Sequence, residues 1–237
     1  MEKFLAIIVA VMVERWTRYI PGGQIIARVR SSNWLGLYLA KMGELIGKLG
    51  VKQSYMVFFL LLLPLVLLVV IAKIVFSHLL GKIIGSLLVA TLLLLYFIGN
   101  KEVEANSSDF VIAHETNFGI LFWFAIFGPV GGLFYWFIVA VKQLKSLSED
   151  STISLIHALA AWVPARITGF VYALVGNFTL GFNQWLTCIR ATSMPSSEFL
   201  EICGRAALDS SSADEQTNLI DRAFIAWVVI SILIVIV

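Results

Sequence analysis

The sequence predicts an all-α fold, a polytopic membrane helical bundle with interfacial amphipathic helices, and three observations predict it. Of 237 residues, 59% are hydrophobic and 14% charged, whereas an ordinary globular domain is about 25% charged. The mean hydropathy is +0.92. The apolar residues fall in long blocks that a bilayer, not a soluble core, would take up. Residues 1–237 read as a single integral membrane domain whose apolar segments are 4–13, 55–76, 83–98, 118–141, 155–175 and 223–237.

The first segment, 4–13, and the last, 223–237, supply only 10 and 15 apolar residues, short for full spans at ~1.5 Å rise per residue. Segment 4–13 resembles the apolar part of a signal peptide, but Glu2 weakens the charged start and Met12-Val13-Glu14 offers no small-residue cleavage site, so it reads as retained. Residues 34–49 form an interfacial amphipathic helix: Leu35, Tyr38, Leu39, Met42, Leu45, Ile46 and Leu49 share one face, and Lys41, Glu44 and Lys48 the other. Gly36, Gly43 and Gly47 weaken that helix unless they make a close contact with a spanning one. Segments 55–76 and 83–98 are nearly unbroken aliphatic runs and both should span.

Segment 118–141 is aromatic, with Trp123 near its start, and is interrupted by Gly128-Pro129-Val130-Gly131-Gly132. A proline removes a backbone donor and glycines admit close neighbours, so a kinked, closely packed helix is expected. Segment 155–175 carries His157, Trp162, Pro164 and Arg166 and reads as a broken helix restarting at Pro164. Residues 178–208 read as a membrane-proximal helical pair broken at Met194-Pro195-Ser196, with Phe199, Ile202, Cys203 and Ala206 at helical spacing, and 209–216 as a mobile polar linker.

Basic residues orient the chain. With six segments, one side collects Arg15, Arg18, Arg28, Arg30, Lys41, Lys48, Lys52, Lys101, Arg190, Arg205 and Arg222, against Lys3, Lys82, Lys142 and Lys145 on the other. The richer side is cytoplasmic, which places the 100–117 loop and the 176–222 region inside the cell. The net charge of +2 gives no field that would draw nucleic acid. Cys188 and Cys203 form no framework or CxxC spacing and are expected to be free thiols. No cofactor or metal site is expected. The membrane lipid is the one partner that composition itself implies.

Two motifs fail on inspection. Gly176-Asn-Phe-Thr-Leu-Gly181 has phosphate-loop glycine spacing, but Phe182-Asn183 stands where lysine and a hydroxyl are needed. His114-Glu115 begins like a zinc-protease helix, yet Phe118 replaces the second histidine. What remains is polar material at membrane depth, where a charge costs about 2.5–3.5 kcal/mol on insertion scales. Lys73 snorkels and His157 reads as a packed or interfacial residue. Arg166 is the leading ligand-binding candidate, because a helix break after Trp162-Val-Pro-Ala would expose backbone donors to an anion. A second cluster gathers Asn106, Asp109, His114, Glu115 and Asn117, which converge only if the loop bends; on a helix they make a solvated entry.

Three stretches resemble the AmpE family of membrane proteins associated with β-lactamase regulation, within the wider AmpE/CobD group. Leu121-Phe-Trp-Phe-Ala-Ile-Phe-Gly-Pro-Val-Gly-Gly-Leu-Phe-Tyr is similar to the family's aromatic helix, including Trp123, Gly128, Pro129 and Gly131. Trp162-Val-Pro-Ala-Arg-Ile-Thr-Gly-Phe-Val-Tyr-Ala-Leu-Val-Gly-Asn-Phe is similar to its second signature, followed by Phe182 and Trp185. Arg222 and Trp227 open the closing helix in the same manner, and Glu14-Arg15 ends the first block as in that family. The synthase branch, CobD, has an acidic stretch where this chain has Val111-Ile-Ala-His-Glu-Thr, so only Glu115 stands in for its aspartate, and its N-terminal elements are missing.

The resemblance implies a multi-pass bacterial inner-membrane protein linked to cell-wall recycling or β-lactam response, signalling with the cytoplasmic muropeptide amidase AmpD. Under that expectation a non-enzymatic regulator binds a partner or anion near Arg166. The alternatives are a CobD-like amide-forming synthase using Glu115 and Asn117, and a small transporter built on breaks at Pro129 and Pro164.

Overall fold

The computed structural model describes residues 2–17, 34–48, 54–98, 108–142, 151–191, 194–210 and 212–236, among which every regular element is helical. Arg18, Arg28, Arg30, Lys52, Lys101, Asn106 and Lys145 lie outside the described residues.

Helix α1 (Glu2–Thr17) puts Ala6, Ile7 and Ala10 on one face, and small side chains there let it pack closely on the helix Lys82–Phe97. It is thus part of the bundle's inner packing. Helix α2 (Trp34–Lys48) shows the expected amphipathic face: Leu39 is buried and Lys41 and Glu44 are exposed. That face is satisfied by protein. Trp34 Nε1 donates to the Tyr96 hydroxyl at 2.7 Å and stacks on Trp136, and Tyr38 donates to Leu61 O at 2.6 Å. The expected close contact at Gly43 is not made, since that position faces open space.

Helices α3 (Ser54–Leu80) and α4 (Lys82–Phe97) are the two aliphatic runs, and Gly81, at φ 83°, makes the turn between them. Such a φ is open to glycine at little cost. Phe59, Leu63, Leu67, Ile71 and Ile74 all lie exposed on α3, a surface only lipid would solvate.

The aromatic segment departs most from its expectation. Residues 118–141 do not form one kinked span; they reverse direction. Helix α5 (Asp109–Ala113), a π-helical turn (His114–Phe118) and helix α6 (Gly119–Phe127) make one rod, which ends at Gly128 with φ 70°. Helix α7 (Pro129–Lys142) then runs back along it, its proline set at the first helical position. Gly119 lies under the Tyr135 ring, Trp123 meets Phe134 edge-on at 6.0 Å, and Lys142 reaches Glu115 at 3.7 Å. Lys3 Nζ closes the turn by donating to Ile126 O, the end of α6, at 2.8 Å. At 14 residues, α7 is ~21 Å long, short of the ~30 Å hydrocarbon layer. Lys142 therefore lies at the same end as Glu115, not across the membrane from it as a single span would require.

Helix α8 (Ser151–Val175) corrects the second expectation, because it runs unbroken through Pro164. Helices α9 (Phe178–Arg190) and α10 (Ser196–Ala206) form the expected pair against it. Asn177 caps α9 by accepting from Leu180 N at 3.2 Å, a helix-start role for the discarded glycine motif. The segment expected as a mobile linker is instead a helix start: Ser212 accepts from Glu215 N, and the Glu215 carboxylate accepts from Asp209 N and Ser210 N. Helix α11 (Ala213–Ile236) thereby gains the length that residues 223–237 alone lack.

Among the described residues, Tyr55–Leu80, Asp109–Phe127, Ser151–Val175 and Ala213–Val235 are long and apolar enough to cross a membrane. The protein is an all-α membrane protein.

Candidate functional site

Pro164 sets the local problem for α8. It has no N–H to give Ala160 O, four residues back, and an orphaned carbonyl at membrane depth is costly. Trp123 supplies the donor: its Nε1 lies 3.0 Å from Ala160 O, and the indole stacks on Phe127 at 5.7 Å. The rod and α8 are joined there, and again on both sides.

On one side, His114 and Thr168 meet. The Thr168 hydroxyl donates to Pro164 O at 2.8 Å and accepts from Trp227 Nε1 at 3.1 Å. With its hydrogen already committed, it meets His114 Nδ1, 3.2 Å away, as an acceptor. His114 is therefore protonated at Nδ1 and, when neutral, bears its lone pair at Nε2. Among the described residues that Nε2 is buried without a hydrogen-bond partner, as is the Tyr135 hydroxyl, whose ring packs edge-on to His114 at 6.3 Å.

On the other side, Glu115 meets His157 and Lys142. Glu115 Oε1 is 3.1 Å from His157 Nε2 and 3.7 Å from Lys142 Nζ, while Lys142 Nζ is 3.4 Å from His157 Nδ1. An ammonium only donates, so His157 accepts at Nδ1 and carries its hydrogen at Nε2, facing the carboxylate. The Nε2–H is not aligned for a hydrogen bond, so the Glu115 pair is held by proximity. The Glu115 and His157 side chains are 11% and 10% exposed and that of Lys142 is 42% exposed, so the cluster opens to its surroundings through the lysine. The wide π turn presents His114 and Glu115 as consecutive buried residues reaching points on α8 eleven residues, ~16 Å, apart. Such turns are frequent at functional sites.

The remaining candidates separate. Asp109 is exposed and accepts from Gln216 Nε2 at 3.1 Å, away from the buried Glu115, and Asn117 is half-buried on the π turn. Arg166 lies nine residues, ~13 Å, along α8 from His157 and joins a different place. Its Nη2 donates to Met194 O at 2.9 Å and its Nη1 to Ser196 Oγ at 3.3 Å, with the guanidinium between the rings of Trp162 and Phe199 at 4.9 and 4.6 Å. The exposed backbone donors expected beside it do not exist, because α8 does not break. Lys142 was misplaced by the single-span expectation and His157 read as packing; their one sequence signal is a charge or imidazole at the end of an apolar block. Among the described residues, no three His, Cys, Asp or Glu side chains gather as metal ligands.

Fold and site together define a class: a helical membrane protein with a charged cluster at the base of a returning hairpin. No protein-family model, curated protein or solved structure matches the chain.

Proposed function

We propose that this chain is a membrane-embedded regulatory protein of the AmpE type, acting in the bacterial inner membrane in β-lactamase induction or cell-wall recycling. The Glu115–His157–Lys142 cluster is its ligand- or partner-responsive centre. One observation carries the assignment: an acid on a π turn, an imidazole and an ammonium gathered among apolar helices, with the lysine at the opening. Such groups are expensive to bury and change their mutual contacts when a charged ligand or partner competes for one of them. The motif resemblance and the membrane architecture support the class, and AmpD is its proposed cytoplasmic partner. Arg166, held by Met194 O and Ser196, serves as a packing latch in this reading.

The test is β-lactamase induction by a β-lactam in a strain lacking the chromosomal copy. Wild type restores induction and Glu115→Gln does not at equal membrane abundance; unchanged induction in Glu115→Gln overturns the proposal. A CobD-like synthase is the second reading, favoured by the same acid and base pair. It predicts restored cobalamin synthesis in a synthase-deficient strain, and no restoration at good expression removes it. The transporter reading loses the helix break at Pro164.

A further inference from the structure

Arg166 raises a problem that the regulatory reading leaves open. Arg166 is 5% exposed, and among the described residues its Nε is buried without a partner and no carboxylate lies within ion-pair distance of its guanidinium. A buried cation balanced only by a carbonyl, a hydroxyl and two rings lacks an anion. The groups that can become anions there are two thiols. Cys188 of α9 and Cys203 of α10 are 3% and 0% exposed and both free. The two thiols sit in one cluster with Phe199, against which Met194 packs, and the Phe199 ring lies 4.6 Å from the Arg166 guanidinium.

We propose that Cys188, Cys203 and Met194 form a site for a soft monovalent metal ion, copper(I), with Arg166 as the counter-charge. Two thiolates and a thioether suit copper(I), which accepts low coordination by sulfur, and are too few for the four ligands of structural zinc. On binding, both thiols lose a proton to solvent and two copper–sulfur bonds form with the thioether as third ligand; the metal stays copper(I). The product carries one negative charge, which the guanidinium balances. The metal, by competing with the protons, makes binding release them.

The test uses reduced full-length protein in detergent, without oxygen, titrated with copper(I) held by bicinchoninate as a coloured competitor. Wild type withdraws one copper(I) per chain, Cys188→Ala and Cys203→Ala withdraw none, and Arg166→Gln binds about 10–100-fold more weakly. Withdrawal of none by wild type, or of as much by the double alanine variant, overturns the proposal. X-ray absorption of the wild-type complex needs no variant to fold: sulfur-only ligation at two or three atoms supports the site, and nitrogen or oxygen ligation overturns it. β-Lactamase induction is a separate readout, so the failure of either proposal leaves the other standing.

Discussion

The indole N–H of Trp123 occupies the carbonyl of Ala160 at 3.0 Å, the acceptor that Pro164 leaves vacant in α8. This is how a proline is carried within an unbroken membrane-depth helix: a side chain from the neighbouring rod replaces the missing backbone donor. Trp123→Phe keeps an aromatic ring and removes the N–H, so stability in detergent should fall by about 1–3 kcal/mol. Pro164→Ala restores a backbone donor and should return most of that loss in the double variant, a coupling that thermal unfolding of all four proteins would read. Additive losses would show that the bond carries nothing.

The hairpin makes a topological prediction. In a Cys188→Ala, Cys203→Ala background, cysteines introduced as Asp109→Cys and Lys142→Cys should be labelled by an impermeant maleimide from the same face of sealed vesicles. A single span over 118–141 would put them on opposite faces.

Gly119 has no room for a methyl group, since an added Cβ would lie 2.2 Å from the Tyr135 ring. Gly119→Ala should cost about 1–3 kcal/mol by overpacking. The smaller side chain in Tyr135→Val should relieve the clash, giving a double variant more stable than the sum of the single losses predicts.

Glu115 and His157 should be coupled by about 1 kcal/mol in a double-variant cycle with Glu115→Gln and His157→Gln, because each is the other's buried partner at 3.1 Å. Lys142→Gln should show a smaller coupling to Glu115, its side chain being 42% exposed and screened by water. Equal couplings would place all three groups in solvent.

Cys203 gives a pH prediction whose sign follows from burial. Its folded thiol is raised from the ordinary 9.0 to about 12, so the unfolded chain ionises first. Its contribution to stability is complete below pH 9 and is lost as pH rises from 9 to 12. Alkylation by iodoacetamide at pH 8 should be slow until detergent unfolding, and the alkaline loss of stability should be smaller in Cys203→Ala.

The helical class, the two aliphatic runs and the α9/α10 pair were legible because bilayer-length apolar blocks and helical periodicity are local properties of the chain. The same pattern named His157 and Arg166 as polar groups at membrane depth and put His114 and Glu115 at a solvated helix entry, yet could not say what each one faces. The reversal at Gly128 was not legible, since a glycine and proline in an apolar run serve a kink or a turn equally well. Only packing decides, here through the Gly119 approach to Tyr135 and Lys3 at the end of α6. That one choice moves Lys142 from the far end to Glu115. The break expected at Pro164 is absent for the complementary reason, that its remedy comes from Trp123, 41 positions earlier. Hydropathy fixes how much of a chain the bilayer solvates, whereas the pairing of buried charges and orphaned carbonyls depends on contacts between distant segments, which only the tertiary structure supplies.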